Sequence, residues 1–320
     1  MYWVLLYNSF MPVRLIAAKD DEGRRLDRIL RKALPGIPLS AIHRLLRKGK
    51  IKVDGQKALP LDHISEGQII ELPDLSPGNR SAKNSKSKPF SKLEIIYEGQ
   101  GLLILNKPCG IAVHGPLSLE THVLSYLKPK IPESLSFNPG PLHRLDRPTS
   151  GLIVFSKDLE GARFFSSLLR DQKIRKYYLA ILDGICNIND EIWEDDLYRD
   201  KNIKKTFTDA KGPEKKERAV TRVKTLAVAK AHTLIQAEII TGKTHQIRSQ
   251  ASARKHPLSG DRKYGSKRTD SGSFYLHAWK LELPDTGLPE ALPRHFEAPL
   301  PQDFANAIKK LFGEYATSEN

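Results

Sequence analysis

The chain has 320 residues, enough for one large domain and one small one, and its 39% hydrophobic and 28% charged residues are those of a folded protein. Its 52 Lys and Arg against 37 Asp and Glu leave a net charge of +15, which keeps a protein soluble and attracts polyanions, RNA being the commonest. Two cysteines, Cys109 and Cys186, lie far apart and match no metal-ligand spacing, so neither a disulfide framework nor a zinc site is expected, and a reducing cytoplasm fits.

In chain order, the apolar stretch Met1 to Phe10 comes first. It has no basic start, is interrupted by Asn8, is followed by no small-residue cleavage site, and is too short to span a bilayer. It reads as a ragged start, with Met11 as the true first residue. No other segment reads as transmembrane, and no membrane partner is expected.

A first domain is expected over residues 14–75. Leu26, Ile29, Leu30, Ala33 and Leu34 fall on one face of a helix that Pro35, Gly36 and Pro38 end. Ser40 is placed as the N-cap of a second helix, with Ile42, Leu45 and Leu46 inward, and Gly49 as its stop. His43, Arg44, Arg47 and Lys48 fall on the other face. Ile51 and Val53 alternate as a strand, Asp54-Gly55 turns, and Ile69 to Leu72 reads as another strand. Residues 24–57 hold 11 Lys or Arg and 2 Asp or Glu. A few such charges are an ordinary solvated helix face; so large an excess favours phosphate contacts, with Arg44, Arg47 and Lys48 as candidates. The order Arg24-Arg25-Leu26-Asp27, Ser40, Gly49, Ile51-Lys52-Val53-Asp54-Gly55 and Gly67-Gln68 resembles the S-four-like RNA-binding domain.

Residues 76–91 (SPGNRSAKNSKSKPFS) are polar, basic and rich in Ser and Pro, the composition of a flexible linker. The remainder, 92–320, alternates short apolar runs at Leu93 to Tyr97, Leu102 to Leu105, Leu152 to Phe155, Tyr178 to Leu182, Thr221 to Leu226, Leu234 to Ile240 and Phe274 to Leu283 with helical stretches such as Leu159 to Arg170. The fold class expected is α+β on a mixed, largely antiparallel sheet, able to fold from about Ser91 onward. Residues 199–218 read as a polar loop.

One segment carries chemistry. In Pro141 to Ser156 (PLHRLDRPTSGLIVFS) a single acid, Asp146, sits between Arg144 and Arg147 ahead of an apolar run. An isolated Arg-Asp-Arg is more often a structural salt bridge. Here His143-Arg144-Leu145-Asp146-Arg147 with Thr149-Ser150-Gly151-Leu152 resembles the catalytic motif of the RluA-type pseudouridine synthases, with Pro148 where that family usually has a polar or acidic residue. Asn106-Lys107-Pro108, Gly110 and Val113-His114 resemble its first motif, Lys176 and Tyr178 its Lys-x-Tyr. Thr241 to Arg248 (TGKTHQIR), His256-Pro257, Gly260-Asp261 and Tyr264-Gly265 resemble its later motifs.

The resemblance covers Arg24 to Phe304. It implies a pseudouridine synthase fold, isomerisation of uridine in structured RNA with Asp146 as the catalytic residue, and no cofactor or metal. It also implies an ion pair from Arg248 to Asp146, Tyr178 stacked on the target base, and Ile247 completing an apolar wall. Arg144 and Arg147 are expected to contact RNA or brace the loop and Lys107 to contact RNA, with Lys107 and His114 at the site's edge; His143 is given no catalytic duty and is left as a structural or RNA-contacting residue. The N-terminal module is typical of relatives acting on large-subunit (23S) ribosomal RNA, the RluC/RluD-like branch, with RluC favoured; transfer RNA is the alternative target. A non-catalytic RNA-binding ribosome assembly factor shares the charge but leaves the joint presence of these motifs unexplained. A monomer is expected.

The charge sets one outcome. Affinity for RNA falls by roughly 0.7 to 0.9 log units per log unit of salt for each phosphate neutralised. A salt titration of binding measures this slope, and a flat titration removes the basic module from RNA binding.

Overall fold

The helical spacing around Leu26 and the short strands after Gly49 build the first part of the chain. In the computed structural model the residues described are 13–34, 36–73, 92–131, 134–200, 202–208, 216–267, 273–284 and 292–313. The readings made for Met1 to Met11, for Pro35 and for the linker 76–91 lie outside them. The described residues fall into two compact units: those up to residue 89 with 125–139 and 157–160, and those of 90–124, 140–156 and 161–320.

In the first unit the elements run β1 (Val13–Ile16), β2 (Arg24–Arg25), α1 (Leu26–Ala33), α2 (Leu39–Arg47), β3 (Lys52–Val53), β4 (Gln56–Lys57), β5 (His63–Ile64) and β6 (Ile69–Leu72). Four strands pair in the order β1-β6-β3-β4, and β2 pairs with β5. Leu26, Ile29 and Leu30 of α1 and Ile42 and Leu46 of α2 are fully buried with Ile51 and Ile70. Each such side chain stabilises the fold by roughly 1.5–3 kcal/mol. Leu45 is only half-buried. Arg44, Arg47 and Lys48 stand exposed on α2. The second helix starts two residues earlier than expected: Pro38 occupies the N-cap, its φ of −60° already set for the entry, and Ser40 lies inside the first turn without capping it. Gly49, at φ 63°, closes that helix.

Residues 134–136, far along the chain, belong to this unit through Asp21. The Asp21 carboxylate is fully buried and accepts from the backbone N–H of Ala18 (2.9 Å), Leu135 (3.0 Å) and Ser136 (2.9 Å) and from the hydroxyls of Ser134 (3.0 Å) and Ser136. Arg24 Nη1 donates to the Ser136 hydroxyl at 2.9 Å.

The second unit is built on an 11-stranded sheet. Its elements are β7 (Ile95–Gly99), β8 (Leu102–Lys107), α3 (Leu119–Leu127), β9 (Gly140–Pro141), β10 (Ser150–Ser156), α4 (Leu159–Arg170), β11 (Arg175–Asp183), β12 (Glu191–Asp200), β13 (Lys205–Thr208), β14 (Glu217–Ala229), β15 (His232–Ile239), α5 (Gln246–Ala253), β16 (Leu276–Glu282), β17 (His295–Glu297) and α6 (Gln302–Phe312). The order is β13-β12-β14-β15-β11-β16-β10-β8-β7, with β17 on β16 and β9 on β10. Every described pairing is antiparallel except β10 with β16. β8 and β10, read as continuous apolar runs, are buried along their whole length. At the parallel junction Gly151 faces Ala278 at φ 105°, and a Cβ there would lie 2.2 Å from the Ala278 carbonyl oxygen. Only glycine lets the two backbones approach this closely.

Residues 199–218 are not one loop. β12 continues to Asp200, β13 returns along it, and β14 begins at Glu217; residues 209–215 lie outside the described set. Among the described residues, no helix is long and apolar enough to cross a membrane.

Asp21 gives this architecture a measurable consequence. Burial pushes its carboxyl up, but the hydrogen bonds, Ser136 foremost, outweigh burial and hold the pKa below its ordinary value. Asp21→Ala should cost about 2–4 kcal/mol, since it strands buried donors. A depressed carboxyl stabilises fully above its unfolded pKa near 4, and that stability is lost as pH falls through the folded value. Urea unfolding should therefore show a constant wild-type margin at neutral pH that shrinks below about pH 4.

Candidate active site

Asp146 lies on the loop that carries the chain from β9 into β10. Thr149 N–H donates to its carbonyl at 3.0 Å, closing a turn just before β10. Upstream, His143 Nε2 accepts from Val154 N–H at 3.1 Å while its ring stacks on Phe165. Burial, with Lys176 adding repulsion, drives the His143 pKa down to about 3. It is a neutral structural residue that fastens the loop to β10.

The expected contact of Lys107 with RNA is not available. Its side chain is fully buried at the end of β8, and Nζ donates to the carbonyls of Pro108 (2.9 Å), Ile111 (2.9 Å) and Arg147 (3.1 Å). Burial lowers its pKa to about 8. Arg147 Nε donates to Gly110 O at 2.7 Å, and Gly110 N–H donates back to Arg147 O at 2.9 Å. Lys107 and Arg147 thus stitch the 108–111 turn to the Asp146 loop, with the rest of Arg147 exposed. His114 is exposed and bonded to Glu120 at 3.0 Å.

The Asp146 carboxylate meets residues from a helix distant in sequence. Arg248, on the first turn of α5, is 6% exposed; its Nη1 donates to Asp146 Oδ2 at 2.8 Å. Its Nε and Nη2 donate to Asp261 Oδ2 (2.6 Å) and Oδ1 (3.0 Å), and Asp261 is 2% exposed. Phe274 and Tyr264 lie against the guanidinium, their centroids 4.4 and 4.8 Å away. Burial works against the Arg248 charge; the two carboxylates, Asp261 first, outweigh it and hold the pKa above its usual range.

His245 precedes α5 in the left-handed region, φ 57°, which His tolerates better than most side chains. Its Nε2 lies 3.7 Å from Asp146 Oδ2, and its Nδ1 lies 2.8 Å from the hydroxyl of Tyr264. That hydroxyl in turn accepts from Thr206 N–H of β13 at 2.9 Å. Burial pulls the His245 pKa down to about 4; Asp146 opposes the shift, and Arg248, Arg199 and Lys263 reinforce it. The imidazole is neutral at pH 7.

Asp146, Arg248 and His245 open on a cavity of about 560 Å³ that Arg144, Lys176, Tyr178 and Ile247 also line. Tyr178 and Ile247 are buried. Burial, and then the Asp146 charge, push the Tyr178 phenol well above its ordinary pKa, so it keeps its proton. Burial lowers the Lys176 pKa. Arg144 is exposed at the cavity. The residues Asp146, Tyr178, Ile247 and Arg248 are thus gathered in one place, and Lys107 is not. Asp261, His245 and Tyr264 were visible as motif letters without a role. Among the described residues no cluster of His, Cys, Asp and Glu could hold a metal. Chemically, the site offers one carboxylate fixed through a single oxygen, beside a neutral phenol and an apolar wall.

A family model described as RNA pseudouridylate synthase matches residues 101–253, and one described as S4 domain matches 24–70. The chain is 30% identical to the ribosomal large subunit pseudouridine synthase C of Escherichia coli strain K12, over 93% of this chain and 97% of the relative. It belongs to the RNA pseudouridylate synthase family. A relative of the same printed name from Vibrio parahaemolyticus is 32% identical, over 83% and 86% of the two chains. In fold, the human RNA pseudouridylate synthase domain containing 4 is similar with a TM-score of 0.56 at 24% identity, covering 68% of this chain and 92% of that one.

Replacing Lys107 by Met takes the buried ammonium away from the three backbone carbonyls that it bonds. The change should destabilise the protein by about 2–4 kcal/mol in chemical denaturation, as expected when several acceptors lose one charged partner. A variant as stable as wild type contradicts the bracing role.

Proposed function

We propose that this protein isomerises uridine to pseudouridine in large-subunit ribosomal RNA, with Asp146 as the catalytic residue. Relatives that match it over more than four-fifths of its length carry that activity in their names. The observation that carries the site assignment is the anchoring of Asp146: Oδ2 is held by a buried arginine, and no described residue bonds Oδ1.

The reaction breaks N1–C1′, turns the uracil and joins C5 to C1′; C5 loses a proton and N1 gains one. Atoms and oxidation state are conserved, so one ionised carboxylate in a shielded pocket is the tool required. Attack on C1′, addition to the ring and removal of the 2′ proton all need the same charged oxygen. Tyr178 offers a flat ring for a base swung out of its stack, and Ile247 a second apolar surface. Arg144, exposed at the cavity, is assigned to the RNA backbone. Arg44, Arg47 and Lys48 on α2 are assigned to phosphates as well. The reading is of a monomer working in the cytoplasm, where its two free thiols stay reduced.

Asp146→Asn keeps the size of the side chain and removes its charge. Tritium release from uridine labelled at C5 should fall by about a thousandfold or more, the scale seen when a covalent catalyst is removed. RNA affinity and thermal stability should stay near wild type. Normal turnover by the variant overturns the assignment.

A further inference from the structure

We propose that His245 is a positioning residue for this reaction, holding Asp146 through its Nε2–H. The inference rests on the reading of Asp146 as the catalytic carboxylate and adds a group that the reading does not use.

Three observations favour the proton on the required nitrogen. The Tyr264 hydroxyl accepts Thr206 N–H at 2.9 Å. The hydroxyl's own proton is directed to His245 Nδ1 at 2.8 Å, the neighbouring Thr206 hydroxyl being engaged with Thr244 O at 3.0 Å. An imidazole that accepts at Nδ1 and is neutral carries its hydrogen on Nε2. That nitrogen faces Asp146 Oδ2 across 3.7 Å, longer than a hydrogen bond and within the reach of a small side-chain rotation. Burial keeps the ring uncharged, so the donor does not compete with Arg248 as a second cation.

The arrangement divides the carboxylate. Oδ2 has Arg248 Nη1 at 2.8 Å and His245 Nε2 at 3.7 Å, while Oδ1 has neither. Two donors on one oxygen fix the plane of the carboxylate and leave the other oxygen for the nucleotide. One donor alone permits rotation about the bond to the carboxyl carbon. The backbone of His245 serves the same end: its left-handed φ sets the ring at the mouth of α5, next to Arg248 on the following turn. The charged and titratable groups around the pair are Arg248 of α5, Asp261, Lys263 and Tyr264 after it, Arg199 of β12, Tyr178 of β11 and Lys107 of β8.

Two substitutions separate this role from a purely structural one. In His245→Gln the side-chain amide reaches the position of Nε2, and in His245→Asn that of Nδ1. The left-handed backbone favours Asn, so a structural role through Tyr264 predicts the Asn variant as the better enzyme. Positioning through Nε2 predicts the reverse. Single-turnover and steady-state tritium release should show His245→Gln within about fivefold of wild-type kcat and His245→Asn down about ten- to a hundredfold, the range for one hydrogen bond to a charged group. KM for the RNA should be unchanged in both. The acid limb of the kcat–pH profile should move toward neutral pH in the Asn variant alone. Equal activities, or a better Asn variant, overturn the proposal, with melting temperatures showing that both are folded. Asp146→Asn in the same assay tells the two readings apart: if it is inactive the catalytic assignment stands whatever His245 does, and if it is active both fall.

Discussion

A single buried guanidinium holds the site together. Arg248 has 6% of its surface exposed and spends three of its nitrogens on two carboxylates, Asp261 and Asp146. Burying a cation is costly unless it is paired, and burying two anions beside it would be costlier without it. The pair with Asp261 is bidentate and nearly dry, so it consumes the fork of the arginine and sets its orientation. One nitrogen remains for Asp146, which keeps 16% of its side chain exposed. The cluster therefore carries one net negative charge, placed where solvent and substrate can reach it. β10, with its Asp146 loop, and α5 come from segments a hundred residues apart, and this arginine is where they meet.

The surrounding structure serves rigidity on both sides of that contact. On the loop side Lys107, Arg147 and His143 bind backbone groups, leaving Asp146 little freedom beyond its own side-chain torsions. On the helix side aromatic rings flank Arg248, and the β12–β13 hairpin supports Tyr264 through Thr206. With Asp146 in the proposed catalytic role, such a scaffold contributes to rate by placing a charged oxygen precisely, since small displacements of a reacting group are expensive.

Much of this was legible in the chain. The helix at Leu26 showed in its spacing, β8 and β10 in their unbroken apolar runs, and Asp146, Tyr178, Ile247 and Arg248 in the ordered motifs. The failures have physical causes. Lys107 resembled a surface cation because its partners are carbonyl oxygens, which every residue has and no sequence displays. The hairpin ending at Thr208 was hidden because β12 buries only Trp193 and Leu197 among eight other residues, so its polar content outweighed its alternation. Ser40 was a reasonable cap, but the rigid φ of Pro38 had already set the helix entry two residues earlier. The tautomer of His245 depends on a tyrosine 19 residues away and on a backbone amide in another strand, a relation that exists only after folding.

The Asp21 carboxylate has a consequence for how such proteins are recombined. Sequence composition invites a cut in the polar stretch around residue 80, as if the RNA-binding module were a detachable bead. Five donors to Asp21 instead come in part from Ser134, Leu135 and Ser136, and Leu135 packs on the core formed by Leu26, Ile29 and Ile42. The heritable unit is discontinuous: a chimera that takes the first 90 residues from one relative and the remainder from another inherits both halves of that joint from different parents, and must carry Ser134 to Ser136 along with Asp21 to stay intact.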